Sequence, residues 1–286
     1  MSVIILLSED LMTEYVFVLR PDLRTRLSLP YFADGIKAGY PSPAKDYRVF
    51  PIDLNISLGI NVENDYFAKI QDNDLSGFNI FEGDLAIIKG AQEVYPDMIL
   101  HCLLDGFDTI RKLKIDRRYN HHVRLVTSDS RISHIEVTAE SDCIVKGVVY
   151  YSITPHVPVL SYTTGRNKNS VDLNKLLVKR PSTTFYALVD GNSMKDANIL
   201  DGDLAVIDKS MPYLSGNKAV CRIGEDFTIK IIEKDKNGTI WLMPANDEYK
   251  PIRITRDRYA EIWGIVRHTI TSHVIPFKNL LYDWTD

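Results

Sequence analysis

Asn79–Ile88 reads NIFEGDLAII, and Asn198–Ile207 reads NILDGDLAVI. The two stretches lie 119 residues apart, and working outward at that shift aligns sixty positions without a gap, Ile52–Arg111 against Val171–Lys230, sixteen of them identical. IDLN at Ile52–Asn55 falls on VDLN at Val171–Asn174, Cys102 on Cys221, and DTIRKL at Asp108–Leu113 on FTIKII at Phe227–Ile232. Further on the register slips by two: LVTSDSRISHI at Leu125–Ile135 matches LMPANDEYKPI at Leu242–Ile252, and Gly147 of KGVVY matches Gly264 of WGIVR. Self-similarity over such a length predicts one small fold built twice.

The repeated unit reads as strand. DLAIIKG and DLAVID are short apolar runs straight after a Gly-Asp turn, and AVCRI, FTIKII, TIWLMP and IWGIVRHTI are β-branched and aromatic. Short strands spaced by turn residues predict an all-β chain (mainly β, few short helices) made of two tandem copies of a twisted fold. Helix is expected in DLNKLLVKR as a lead-in turn and, elsewhere, only across Leu23–Ala38. The expected divisions are a leader (1–28), an arm (29–51), a first copy (52–154), a Pro- and Gly-bearing linker (155–170), a second copy (171–270) and a tail (271–286).

Bulk properties narrow the function. A net charge of −4 and no dense Lys/Arg run argue against direct sequence-specific DNA binding. Cys102, Cys143 and Cys221 show no CxxC spacing, and the histidines form no ligand array, so no metal and no cofactor are expected and a reducing, cytoplasmic setting is. The apolar run Val3–Leu7 is too short for a signal peptide or a membrane span.

The chemistry is concentrated in the second copy. DGNSMKD puts Ser193 in a tight turn after the strand Thr184–Val189, where the backbone N–H groups of Ser193 and Met194 could stabilise an oxyanion. Lys230 follows in FTIKII, and alternation places Thr228, Lys230 and Ile232 on one face. A lysine on a buried face loses affinity for its proton and can act as base towards a hydroxyl. On spacing alone, a turn serine and a solvent-reaching lysine remain the plainer reading.

Taken together, GNSMKDANILDGDLAVID, FTIKII, LMPANDEYKPI and IWGIVRH closely resemble the UmuD/LexA family of self-cleaving serine–lysine proteases. The family's G-x-S-M motif matches Gly191–Met194, and its T-V-K-type strand matches Thr228, Ile229 and Lys230. The resemblance implies the LexA/UmuD-type β-fold, serine endopeptidase chemistry with Ser193 as nucleophile and Lys230 as base, and autocatalytic cleavage. LPYFADGIKAGYPSPAKDYRVFPIDLN resembles the UmuD arm, with Ala38-Gly39 where the family's cleaved bond lies.

At the same shift the dyad positions of the first copy hold Asp74 and Arg111, neither able to play its part, and the two could form a salt bridge in its place. One copy thus carries the arm and the other the dyad. Because family members act as homodimers, the duplication is expected to fold as an intramolecular pseudo-dimer. UmuD-like proteins imply a role in the damage (SOS) response, with a RecA filament and a UmuC-like translesion polymerase as partners. The alternatives are a non-cleaving docking module and a LexA-like regulator lacking its own DNA-binding domain.

Overall fold

A computed structural model describes residues 6–7, 18–37, 49–90, 93–116, 122–159, 161–162, 164, 169–224, 226–255, 259–277 and 279. Four strands lead in: β1 (Leu6–Leu7), β2 (Val18–Pro21), β3 (Leu29–Lys37) and β4 (Val49–Ile52). The first copy follows as β5 (Tyr66–Lys69), β6 (Leu85–Lys89), β7 (Ile99–Leu104), β8 (Phe107–Asp116), β9 (His122–Val126), β10 (Ile135–Val137) and β11 (Cys143–Pro155). After β12 (Ser170–Val171) the second copy runs β13 (Thr184–Asp190), β14 (Leu204–Asp208), β15 (Lys218–Ile223), β16 (Asp226–Lys234), β17 (Ile240–Met243), β18 (Ile252–Arg253) and β19 (Ala260–Ser272). The antiparallel pairings β5–β6, β6–β11, β11–β7, β7–β8, β8–β9 and β9–β10 recur in order as β13–β14, β14–β19, β19–β15, β15–β16, β16–β17 and β17–β18. The chain is therefore mainly β and contains one strand topology twice. Among the described residues no helix is long and apolar enough to cross a membrane.

The repeated decapeptide makes the same turn in each copy. Asn79 (φ 62°) and Asn198 (φ 57°) close a short 3-10 turn in the left-handed conformation that asparagine tolerates. Gly83 and Gly202 then adopt positive φ, and the carboxylates of Asp84 and Asp203 accept from the N–H of Phe81 and Leu200 at 3.0 and 2.8 Å. Leu85–Ile88 and Leu204–Ile207 are fully buried beyond it. The aspartates of IDLN and VDLN are N-caps: Asp53 accepts from Asn55 N–H and begins α1 (Leu54–Ser57), and Asp172 accepts from Lys175 N–H and begins α2 (Leu173–Leu177).

The two copies join through their last strands. β11 and β19 pair antiparallel with Ile153 opposite Ile270, and these residues are equivalent under the 117-residue shift. A pseudo-two-fold axis therefore passes between them, as in an isologous dimer interface. Contacts off the axis come in matched pairs. His156 meets Thr269 Oγ1 at 2.9 Å, and its counterpart His273 meets Ser152 Oγ at 3.0 Å. Near the axis, Asn55 and Asn174 both donate to the carbonyl of Thr25, so the leader before β3 is held by equivalent residues of both copies.

Helix across Leu23–Ala38 is not observed: residues 22–28 are irregular and residues 29–37 form β3. Pro30 supplies no N–H for a helix and biases Leu29 towards extended backbone. β3 also finds partners on two sides, antiparallel β4 and, in parallel, β13 of the second copy.

Gly147 and Gly264 each lie where β11 or β19 crosses its neighbour. A Cβ would meet Ile88 Cγ2 and Ile207 Cγ2, respectively, at 2.6 Å. Gly264→Ala and Gly147→Ala are each expected to lower unfolding free energy by about 1–3 kcal/mol through overpacking, as read by urea denaturation. Unchanged midpoints would show that the strands separate without cost.

Candidate functional site

Ser193 sits just beyond β13, and Lys230 lies mid-strand in β16, whose partner β15 places Ala219 opposite the lysine. Both side chains are buried, at 0% and 2% exposure. β3 runs along β13 and pairs Lys37 with both Asp190 of β13 and Thr228 of β16.

Lys230 Nζ lies 2.8 Å from Ser193 Oγ, 2.7 Å from Thr228 Oγ1 and 2.9 Å from the carbonyl oxygen of Ile229. Thr228 and Lys230 thus share a strand face, as alternation requires. Burial brings the Lys230 pKa down to about 8. As an ammonium, Nζ donates to all three oxygens. As a neutral amine it has two N–H bonds, which Thr228 and the Ile229 carbonyl can take, leaving its lone pair towards the Ser193 hydroxyl.

The turn bearing Ser193 is pinned from outside. Ala245 N–H donates to the Ser193 carbonyl at 2.8 Å, Asp196 N–H donates to the Ala245 carbonyl at 2.9 Å, and Asn246 Nδ2 donates to the Asn192 carbonyl at 3.1 Å. Tyr249 Oη donates to Asn192 Oδ1 at 2.7 Å. Among the described residues, the N–H groups of Ser193 and Met194 have no acceptor, so both remain available to an oxyanion. Ala245, Asn246 and Tyr249 were missed as site residues by sequence reasoning. Their block had been matched to its first-copy counterpart, and that recurrence next to the serine turn was the available signal.

The equivalent place in the first copy is a cleft of about 170 Å³, lined among others by Asp72, Asp74, Asp108, Thr109 and Arg111. Asp74 and Arg111 share this cleft but form no ion pair among the described salt bridges, so the expected direct bridge is absent. The Arg111 Nε donates instead to Thr109 Oγ1 at 3.0 Å, repeating the Lys230–Thr228 contact. Burial and Asp72 raise the pKa of Asp74, and Arg111 acts in the opposite direction from farther away. Asp72, where the second copy has Gly191, also accepts from the Asp74 N–H at 3.0 Å, occupying the donor equivalent to that of Ser193.

Three core positions have also changed character. Tyr66, His101 and Asp108 stand where the second copy has Phe185, Val220 and Phe227. Tyr66 Oη lies 2.6 Å from His101 Nδ1, and His101 Nε2 lies 3.2 Å from Asp108 Oδ1. Ala38 and Gly39 lie outside the described residues, directly after β3.

A hydroxyl against a buried amine, with two unclaimed N–H groups beside it, has the form of a serine peptidase site. The family model described as Peptidase S24-like matches the sequence twice, over residues 30–150 and 155–267, and the chain belongs to this family. Over 115 residues the sequence is 34% identical to Protein MucA of Salmonella typhimurium, covering 40% of this chain and 77% of that protein. It is 39% identical over 94 residues to the LexA repressor of Glaesserella parasuis serovar 5, covering 32% of this chain and 44% of the repressor. The LexA repressor of Shewanella piezotolerans is 43% identical over 75 residues, 26% of this chain and 36% of that protein.

Lys230 links the site to stability. Its pKa is about 8 folded and ~10.4 unfolded, so between these values the unfolded chain binds more protons and stability rises with pH. Lys230→Met should remove this slope, so wild type gains on the variant by ~1.4 kcal/mol per pH unit from about 8 to about 10.4. Parallel denaturation curves through that window would rule out the depressed pKa.

Proposed function

We propose that this chain is a UmuD-like accessory protein of the damage (SOS) response that cuts its own arm between Ala38 and Gly39, with Ser193 as nucleophile and Lys230 as base. The observation carrying this reading is the register of β3. Lys37 pairs with Asp190 and Thr228, which precede Ser193 and Lys230 on the two strands, and the next residue is Ala38. The bond proposed for cleavage is thus the second peptide bond after a residue paired with both strands that lead to the dyad.

In this mechanism neutral Lys230 takes the Ser193 proton as Oγ attacks the Ala38 carbonyl carbon. The oxyanion accepts from the N–H groups of Ser193 and Met194. The C–N bond then breaks, Lys230 returns its proton to the Gly39 nitrogen, and the Ala38 ester is hydrolysed by water with Lys230 again as base. The products are residues 1–38 and 39–286. The reading keeps the divisions expected from sequence: residues 52–154 as a copy without a dyad, 155–170 as linker, and 171–270 as the cutting copy. It places the protein in the cytoplasm, where free Cys102, Cys143 and Cys221 stay reduced. A RecA filament that stimulates cleavage and a UmuC-like polymerase that uses the product complete the proposal.

Incubated purified at pH 7 to 10, the wild-type chain should yield the 39–286 fragment by mass, at a rate rising through pH about 8 as Lys230 loses its proton. Ser193→Ala should remain whole. Lys230→Arg, the residue type at Arg111, should also remain whole because guanidinium does not deprotonate. A wild-type chain that stays intact at every pH, or a cut at another bond, would refute the assignment.

A further inference from the structure

Lys218 of the cutting copy and His156 of the linker make a second, half-buried contact away from the dyad. Lys218, at the start of β15, donates through Nζ to the Ala197 carbonyl at 2.6 Å and lies 2.7 Å from His156 Nδ1. His156 Nε2 lies 2.9 Å from Thr269 Oγ1. Burial keeps His156 neutral, its pKa lying well below the ordinary histidine value. Nδ1 is then the acceptor from Lys218, and Nε2–H donates to Thr269. The chain of bonds runs Lys218 to His156 to Thr269, with a branch to Ala197.

Ala197 ends the short 3-10 turn Lys195–Ala197 that follows Ser193 and Met194 directly. The branch therefore holds the end of the turn, beyond the residues bonded to Ala245 and Asn246. His156 follows β11 directly, so the linker leaving the first copy supplies part of the clasp. The other half of the molecule has a counterpart built from different residues. The cross-strand pair Lys218–Ile231 is replaced there by Ile99–Lys112, with the lysine on the opposite strand. Lys112 Nζ lies 4.0 Å from the ring centre of Phe78, the equivalent of Ala197, and its charge acts on His273, the equivalent of His156. A lysine over this turn and a histidine reaching across the pseudo-two-fold are thus found in both halves through unlike sequence.

We propose that Lys218 and His156 are positioning residues for Ser193, so that the linker between the copies contributes to cleavage through His156. This inference rests on the cleavage reading above. Its test follows two rates in the full-length chain for wild type, Lys218→Met, His156→Leu and His156→Asn: arm cleavage by product mass across pH 7 to 10, and labelling of Ser193 by a fluorophosphonate. The second needs a positioned nucleophile but no cut at the arm. Lys218→Met and His156→Leu should each lower the plateau rates by about ten- to a hundredfold, the scale of a misplaced reacting atom, with the pH midpoint unmoved because Lys230 is untouched. The amide oxygen introduced by His156→Asn would return an acceptor near the place of Nδ1, so this variant should recover most of the loss. Equal plateau rates in all four proteins overturn the proposal, as does a loss that His156→Asn does not restore or that follows a fall in melting temperature. If wild type labels without cutting, the cleavage reading fails, and the labelling rates alone decide the clasp. If wild type does neither, both fail.

Discussion

The antiparallel pairing of β11 with β19, Ile153 opposite its own counterpart Ile270, is the contact on which the remaining architecture depends. It turns two tandem copies into a pseudo-symmetric pair and sets their relative register. Because β-pairing has a period of two, a slip of one residue would turn every buried side chain of these strands outward. It would also separate the matched pairs His156–Thr269 and His273–Ser152. With the register fixed, β3 can leave the first copy and pair with β13 of the second. Duplication then gives each copy a partner of fixed identity within the same chain, and the two can diverge without losing symmetry in the interface.

The divergence follows from the cost of burial. In the second copy the buried amine of Lys230 has acceptors for its N–H bonds in Thr228 and Ile229, and burial lowers its pKa. In the first copy Arg111 keeps its charge, keeps the threonine contact and faces an open cleft. In this copy Tyr66, His101 and Asp108 stand where the second copy has Phe185, Val220 and Phe227. Tyr66 and His101 are bonded to each other and Asp108 lies beside His101, an arrangement in which the three tolerate burial together better than any one would alone.

Much of this was legible in the sequence because the informative features are local. A left-handed asparagine, a positive-φ glycine and an aspartate accepting from an N–H three residues back leave a fixed mark, N-I-x-x-G-D-L-A, wherever the turn occurs. Strand alternation likewise put Lys230 and Thr228 on one face. What escaped depends on residues far apart in the chain. β3 reads as possible helix by composition and becomes a strand because β4 and β13 offer hydrogen bonds on both sides. Asn192 is pinned by Asn246 and Tyr249, and Ala197 is held by Lys218, through contacts that no local pattern announces. The Asp74–Arg111 bridge was inferred from a paired change alone. The structure shows Asp72 taking the Asp74 N–H and Thr109 taking the Arg111 Nε–H instead.

Delivery of the arm of one copy to the dyad of the other within a single chain is the central claim, and the concentration dependence of cleavage tests it most directly. An active chain would be followed over a hundredfold range of concentration, mixed with a mass-tagged Ser193→Ala chain as potential substrate. A first-order rate independent of concentration, with the tagged chain left whole, is the predicted result. A rate that rises in proportion to concentration, with the tagged chain cut alongside, would contradict it.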